Sequence, residues 1–199
     1  MARNETRFSA RSERRDWRAA DLKTILVAID GSKAAEKALT VAMDLARQHR
    51  AQLKLLHVLL RDKEPEELLR LADLASAGRD LAALLQQLAQ GRPKDRSAAE
   101  LMADPNAPSK PIAEKTLRRI GDHLLKQACA RAVRRRIRAE ALELADGPVA
   151  ATIAAAAEAV HAEAIVMGSR GLRLIDALGF GSASQEVCRL AHCTCIAVH

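Results

Sequence analysis

A short apolar run, Ala164 to Met167, breaks directly into Gly168-Ser169-Arg170-Gly171. Nine residues later come Gly181-Ser182-Ala183-Ser184, followed by a helical segment from Gln185 to His192. That order reads as buried strand, glycine loop, hydroxyl-bearing turn and helix start. Glycines let a backbone approach a ligand closely, and the first N–H groups of a helix carry positive partial charge. The arrangement is a seat for phosphates, so a nucleotide-binding α/β fold is the leading expectation from this end of the chain.

The rest of the chain supplies the matching elements. Lys23 to Ile29 is a near-continuous apolar run of strand length ending at Asp30-Gly31-Ser32, where Ser32 reads as a helix N-cap more than a ligand contact. Ala34, Ala35, Ala38, Leu39, Ala42, Leu45 and Ala46 then recur at helical spacing to about Arg50, and Leu53 to Leu60 is a second strand. This βαβ opening makes the two strands parallel. Ile112 to Arg135 reads as a helix, Ile137 to Leu144 as a strand, and Asp146-Gly147-Pro148 as a helix start with the proline in the first turn. That helix runs to Val160 and leads into the strand at 164–167, and Cys195 to Val198 is the last strand. Five strands with helices between them predict a doubly wound α/β sheet. Residues 61–111 interrupt the rhythm and read as a helical and loop insertion, with a helix or a helix pair broken near Gly78 over Glu64 to Gln90, and one short helix near Ser97 to Met102. Residues 1–21 form a polar, arginine-rich extension with no steady period.

Charge is unevenly distributed. Of a net +7, residues 112–138 hold nine Lys and Arg against Glu114 and Asp122, while 139–199 hold seven carboxylates against three arginines. A uniform nucleic-acid surface is therefore not expected. The run Arg134-Arg135-Arg136 with Arg138 reads as a solvated helix end, and no aromatic platform accompanies it. No apolar run of about 18 residues is present, so no membrane span is expected. The first residues lack the apolar segment of a secretory signal, which makes a reducing cytoplasm the expected compartment. Cys129, Cys188, Cys193 and Cys195 read as small buried hydrophobes. Cys193 and His199 lie at opposite ends of an extended segment spanning about 20 Å, so no metal site is expected. His57, at a strand end, reads as a partly buried structural side chain.

In open parallel sheets, ligands bind beyond the carboxyl ends of the strands where the strand order reverses. Two loops qualify here, Asp30 to Ser32 and Gly168 to Gly171. A carboxylate repels phosphates but accepts hydrogen bonds from ribose hydroxyls or an amino group. Asp30 is thus assigned to the nucleoside, and Gly168, Gly171, Gly181, Ser182 and Ser184 to the phosphates, with Arg170 and Arg173 as countercharge. Valine at Gly168 is expected to abolish nucleotide binding while leaving the fold intact.

The spacing Gly168-x2-Gly171-x9-Gly181-Ser182 resembles the loop of the nucleotide-binding universal stress proteins. So do Val27-Ala28-Ile29-Asp30-Gly31-Ser32, Leu56-His57-Val58 and the closing Ala191-His192-Cys193-Thr194-Cys195-Ile196-Ala197-Val198. The resemblance covers about residues 22–60 and 112–199; the long 61–111 stretch and the N-terminal extension depart from it. It implies strand order 3-2-1-4-5, backbone contacts from Val58 to adenine, and a homodimer, for which the last strand is a plausible seam. The expected ligand is ATP, or AMP or ADP, with Mg²⁺, and the expected role is stress response or regulation through nucleotide-dependent conformation or dimerisation, with an unidentified protein partner. One alternative is a nucleotide-free interaction protein using the insertion and the basic helix. Another is a slow ATPase or autophosphorylating enzyme with Ser182 or Ser184 as acceptor. The chain lacks the Gly-x4-Gly-Lys loop of the efficient nucleotide hydrolases, and no catalytic residue is assigned.

Overall fold

The computed structural model describes residues 22–59, 114–169 and 182–199. The five strands are β1 (Thr24–Ala28), β2 (Gln52–Leu56), β3 (Ala139–Ala141), β4 (Ala164–Gly168) and β5 (Thr194–Val198). The helices among the described residues are α1 (Lys33–His49), α2 (Glu114–Arg134), α3 (Val149–Ala159) and α4 (Ser182–Leu190). All strand pairings are parallel, in the order β3-β2-β1-β4-β5. The expected sheet is therefore present, with β1 and β4 adjacent where the order reverses. The expected helices at 64–90 and 97–102 and the N-terminal extension lie outside the described residues.

Strand side chains alternate between two faces, and each face buries its own helix pair. Ile25, Val27, Leu53 and Leu55 pack with the alanine-rich stripe of α1 and with Leu117, Ile120, Leu124 and Ala128 of α2. Leu26, Leu56, Val58, Ile165 and Met167 pack with Ile153 and Ala157 of α3 and Val187 of α4. β1 and β4 are central and read as unbroken apolar runs because both faces are covered.

α1 begins as read. The Ser32 hydroxyl accepts from the Ala35 N–H at 3.1 Å, and Arg50 closes the helix in the left-handed region, φ 57°, with its N–H on the Ala46 carbonyl. Three expectations shift. β2 spans Gln52–Leu56 rather than Leu53 to Leu60, its ladder with β1 ending at Leu56. β3 occupies only Ala139–Ala141, not 137–144, because this edge strand offers exposed Glu140 and Ala141, with little apolar surface to hold a longer ladder. Pairing resumes as a single bridge between Val58 and Ala145. Pro148 is the N-cap of α3, one place before the first turn, and its carbonyl accepts from both the Thr152 N–H and hydroxyl.

Arg135 and Arg138 of the arginine run, and Arg131 before it, are engaged locally. Arg131 donates to the Thr40 hydroxyl, Arg135 stands 3.6 Å from Asp44, and Arg138 donates to the Arg50 carbonyl. These contacts brace the end of α2 and the segment after it against α1. No described helix is long and apolar enough to cross a membrane.

Candidate functional site

The carboxyl ends of β1, β2 and β4 open into a cleft on the α3–α4 face. Ala28, Leu56, Val58 and Met167 form its floor, and Val149 and Ile153 of α3 form one wall. Asp30, Gly168, Ser169, Ala183 and Ser184 complete the lining. Asp30, Val58, Gly168 and Ser184 are thus brought together from four separate stretches of chain. Arg170, Gly171 and Gly181 lie outside the described residues. Ser182 supplies the first residue of α4, whose N-terminus opens beside the cleft.

Asp30 is half-buried and follows directly on the strand end. One carboxylate oxygen accepts from the Ser32 N–H at 2.9 Å, closing the turn that Gly31 makes with φ 83°. Across the cleft, Ser184 donates its hydroxyl to the Ser169 carbonyl at 3.0 Å, and the Ser169 N–H donates to Val198. The Ser169 hydroxyl meets Nδ1 of His199 at 2.7 Å. Fully buried Ser169 therefore ties the start of the glycine loop to both α4 and β5. Sequence reasoning passed over this serine because its partners come from residues fifteen and thirty positions away.

Gly168 is where β4 meets the first turn of α1. A Cβ there would stand 2.9 Å from both the Ala34 Cβ and the Ala35 nitrogen, and 3.0 Å from the Ala34 carbonyl carbon. The missing side chain lets β4 and α1 approach, which brings the N-terminal end of α1 to the cleft beside that of α4. Two helix starts then present positive partial charge to one region, a favourable environment for an anion. The clash also corrects the expectation that valine at Gly168 spares the fold, since the obstructing atoms include backbone.

The β1–β2 ladder changes character at the cleft. In a parallel pair, alternate residues of a strand turn their N–H and C=O to opposite neighbours. Gln52 and Leu56 bond to β1 through Lys23 and Ile29, whereas Leu53, His57 and Leu59 bond to the β3 side through Arg138 and Ala145. The next rung would join the Val58 N–H to the Ile29 carbonyl. Instead that carbonyl pairs with Nδ1 of His57 at 2.7 Å, and Val58 has no main-chain hydrogen-bond partner among the described residues.

His57 is buried, 1% exposed, beneath Gly121 of α2. A Cβ at Gly121 would lie 2.6 Å from the imidazole Cδ2 and 2.7 Å from Leu144 Cδ2, so this mid-helix glycine makes room for the ring. Burial pushes the imidazole pKa below its ordinary 6.5, with partial opposition from the Ile29 carbonyl, Asp30 and Asp122. With the folded value depressed, the unfolded chain takes up the proton first as pH falls. Stability from this residue is whole above 6.5 and is lost as pH drops toward the folded value. Urea midpoints measured from about pH 7.5 down to about 5.5 should therefore fall in the wild type and fall less in His57→Asn. Parallel profiles for the two proteins would contradict this assignment.

Val149, Ile153 and Met167 were not anticipated as lining residues. The available signal was Gly147-Pro148, which starts a helix immediately beyond the third strand end. Among the described residues no three His, Cys, Asp or Glu side chains gather as a metal-binding group. The Cys195 thiol is pushed up to about 12 by burial and by neighbouring Cys188 and Cys193.

The family model of the universal stress protein family matches residues 21–199. Among solved structures, a universal stress protein family member from Burkholderia pseudomallei is 23% identical, with TM-score 0.52 over 90% of this chain and 97% of its own. The universal stress protein from Archaeoglobus fulgidus in complex with dAMP is 17% identical, with TM-score 0.54 over 90% and 100% of the two chains. A universal stress protein in complex with cAMP is 18% identical, with TM-score 0.51 over 90% and 98%. At these identities the likeness is one of fold. No curated protein matches the sequence.

Proposed function

The chain belongs to the universal stress protein family, and on that premise we propose that it binds an adenine nucleotide in the cleft at the ends of β1, β2 and β4. The observation that carries this reading is the division of the cleft. A carboxylate and an apolar slot lie at the β1–β2 end, and two helix N-termini flank the β4 end. Fold relatives solved in complex with dAMP and with cAMP support the same ligand class.

In this reading the base lies between Val58, Val149, Ile153 and Met167. The Val58 main chain addresses the base edge, and Asp30 accepts from the ribose. Phosphates sit against Gly168 and the start of α4 at Ser182, with Ser184, Arg170, Gly171 and Gly181 completing the seat. The nucleotide is ATP, or AMP or ADP, with Mg²⁺ alongside the phosphates. Residues 61–111 form an insertion on the 22–199 domain. The protein acts in the cytoplasm in stress response or regulation, through nucleotide-dependent conformation or dimerisation read by a protein partner. β5 is the seam of the homodimer, because it is an edge strand whose Ile196 and Val198 are half-buried and whose outer backbone groups call for partners. Turnover is at most weak.

The direct test is to denature the purified protein and chromatograph the supernatant for adenine nucleotide, before and after dialysis against EDTA and charcoal. Co-purified nucleotide that rebinds in stoichiometric amount is the expected result. A stripped protein that rebinds none would overturn the reading.

A further inference from the structure

Beside the cleft, His57 carries chemistry that the binding reading leaves unused. It is an imidazole just past the end of β2, buried under a helix, with its ring nitrogen on the main-chain carbonyl of Ile29, just past the end of β1. The rung it occupies belongs by register to Val58. Ala28 pairs with Leu56, the Ile29 N–H reaches the Leu56 carbonyl at 2.8 Å, and the following parallel bond would run from Val58 to Ile29. A carbonyl at that depth needs a donor. If Val58 supplied it, the ladder would close and the main-chain pair of Val58 would be spent inside the sheet.

We propose that His57 is a positioning residue: its Nδ1–H takes over the Ile29 carbonyl, so that the Val58 N–H and C=O remain available to the base edge. This deepens the nucleotide reading and rests on it. Adenine presents an acceptor at N1 and a donor at N6, the complement of one residue's N–H and C=O. Hypoxanthine presents the reverse polarity at both atoms and gains nothing from the same pair. His57 thus acts on affinity and base choice without touching the ligand. Gly121 is part of the device, since any side chain there would collide with the ring.

Three variants separate this from a merely structural histidine. Asparagine places an N–H where Nδ1 stands, glutamine places it one atom farther out, and leucine removes it. The full chain and each variant are titrated with ATP and with ITP by calorimetry, with circular dichroism melts confirming that each is folded. ATP affinity in His57→Asn should stay within about threefold of wild type, while His57→Leu and His57→Gln lose about tenfold or more. ITP affinity should change by less than about threefold throughout, so the preference for ATP collapses only in the latter two. In parallel, the Val58 amide exchange rate is compared with that of Leu59, whose N–H is already paired with Ala145. In His57→Leu the Val58 amide should slow about tenfold relative to Leu59 as the ladder closes. Equal ATP preference in wild type and His57→Leu, or a Val58 amide as protected in the ligand-free wild type as in His57→Leu, would overturn the proposal. If the wild type binds neither nucleotide, the binding reading fails, and the exchange ratio alone still decides whether His57 holds the rung.

Discussion

Replacing Gly168 with valine is expected to cost the fold about 3 kcal/mol, the upper end of the usual range for overpacking. The cause is local and steric. The first added atom already stands 2.9 Å from the Ala35 nitrogen and the Ala34 Cβ, and two further methyl groups follow. The obstacle is the first turn of α1, which is held by the Ser32 cap and by the buried Ala35 and Ala38. Relief requires moving that helix end away from β4 or bending the strand. Either movement pulls apart the two helix starts that flank the cleft, so nucleotide binding should be lost together with stability. Urea unfolding provides the measurement. With a slope of about 1–3 kcal/mol per molar, the midpoint should drop by roughly 1–3 M, and alanine should fall between glycine and valine. An unchanged midpoint in the valine variant would show that β4 and α1 are not in close contact.

Because that substitution mixes folding with binding, Asp30→Asn is the cleaner probe of the site. The Asp30 carboxylate closes the Asp30–Ser32 turn through one oxygen, a role an asparagine carbonyl can keep. The exchange removes the charge and replaces the second oxygen with a donor. A hydrogen bond from a ribose hydroxyl to a carboxylate contributes about 1.5–3 kcal/mol, so ATP affinity should fall about ten- to hundredfold. The ligand-free melting temperature should stay close to that of the wild type. Tripolyphosphate, which carries no ribose, should bind the two proteins alike. Undiminished ATP affinity in Asp30→Asn would remove Asp30 from the site, and an equal loss for tripolyphosphate would assign the residue to the phosphates instead.

The parts of the molecule that could be read in advance are those whose cause is local. β1 and β4 stand out because burial on both faces demands unbroken apolar runs, and Ser32 because an N-cap needs only the next three residues. Asp30 and Gly168 could be placed at one site because parallel strands deliver their carboxyl ends to the same edge. β3 resisted reading, since a short edge strand of alanine and glutamate carries no strong period. The α3 wall of the cleft was also missed. Val149 and Ile153 occupy ordinary helix positions, and only the geometry of the third strand crossing turns them toward the cleft. His57 shows the same limit. Its strand-end position is plain in the sequence, but its bond to Ile29 exists only because the β1–β2 ladder stops at Leu56 and the chain beyond it bridges Ala145 at Val58. Gly121 follows from His57 and could not be interpreted without it.

The most direct test of the central claim is a thermal unfolding series of the stripped full-length protein against ATP–Mg²⁺, with AMP, ADP and GTP in parallel. A site for adenine nucleotides predicts a dose-dependent rise in melting temperature with the adenine series, equivalent to about 2.7 kcal/mol of added stability at 100 times the dissociation constant. GTP should give little or no rise. A melting temperature that stays flat through millimolar concentrations of ATP, ADP and AMP, or that rises equally with GTP, would contradict it.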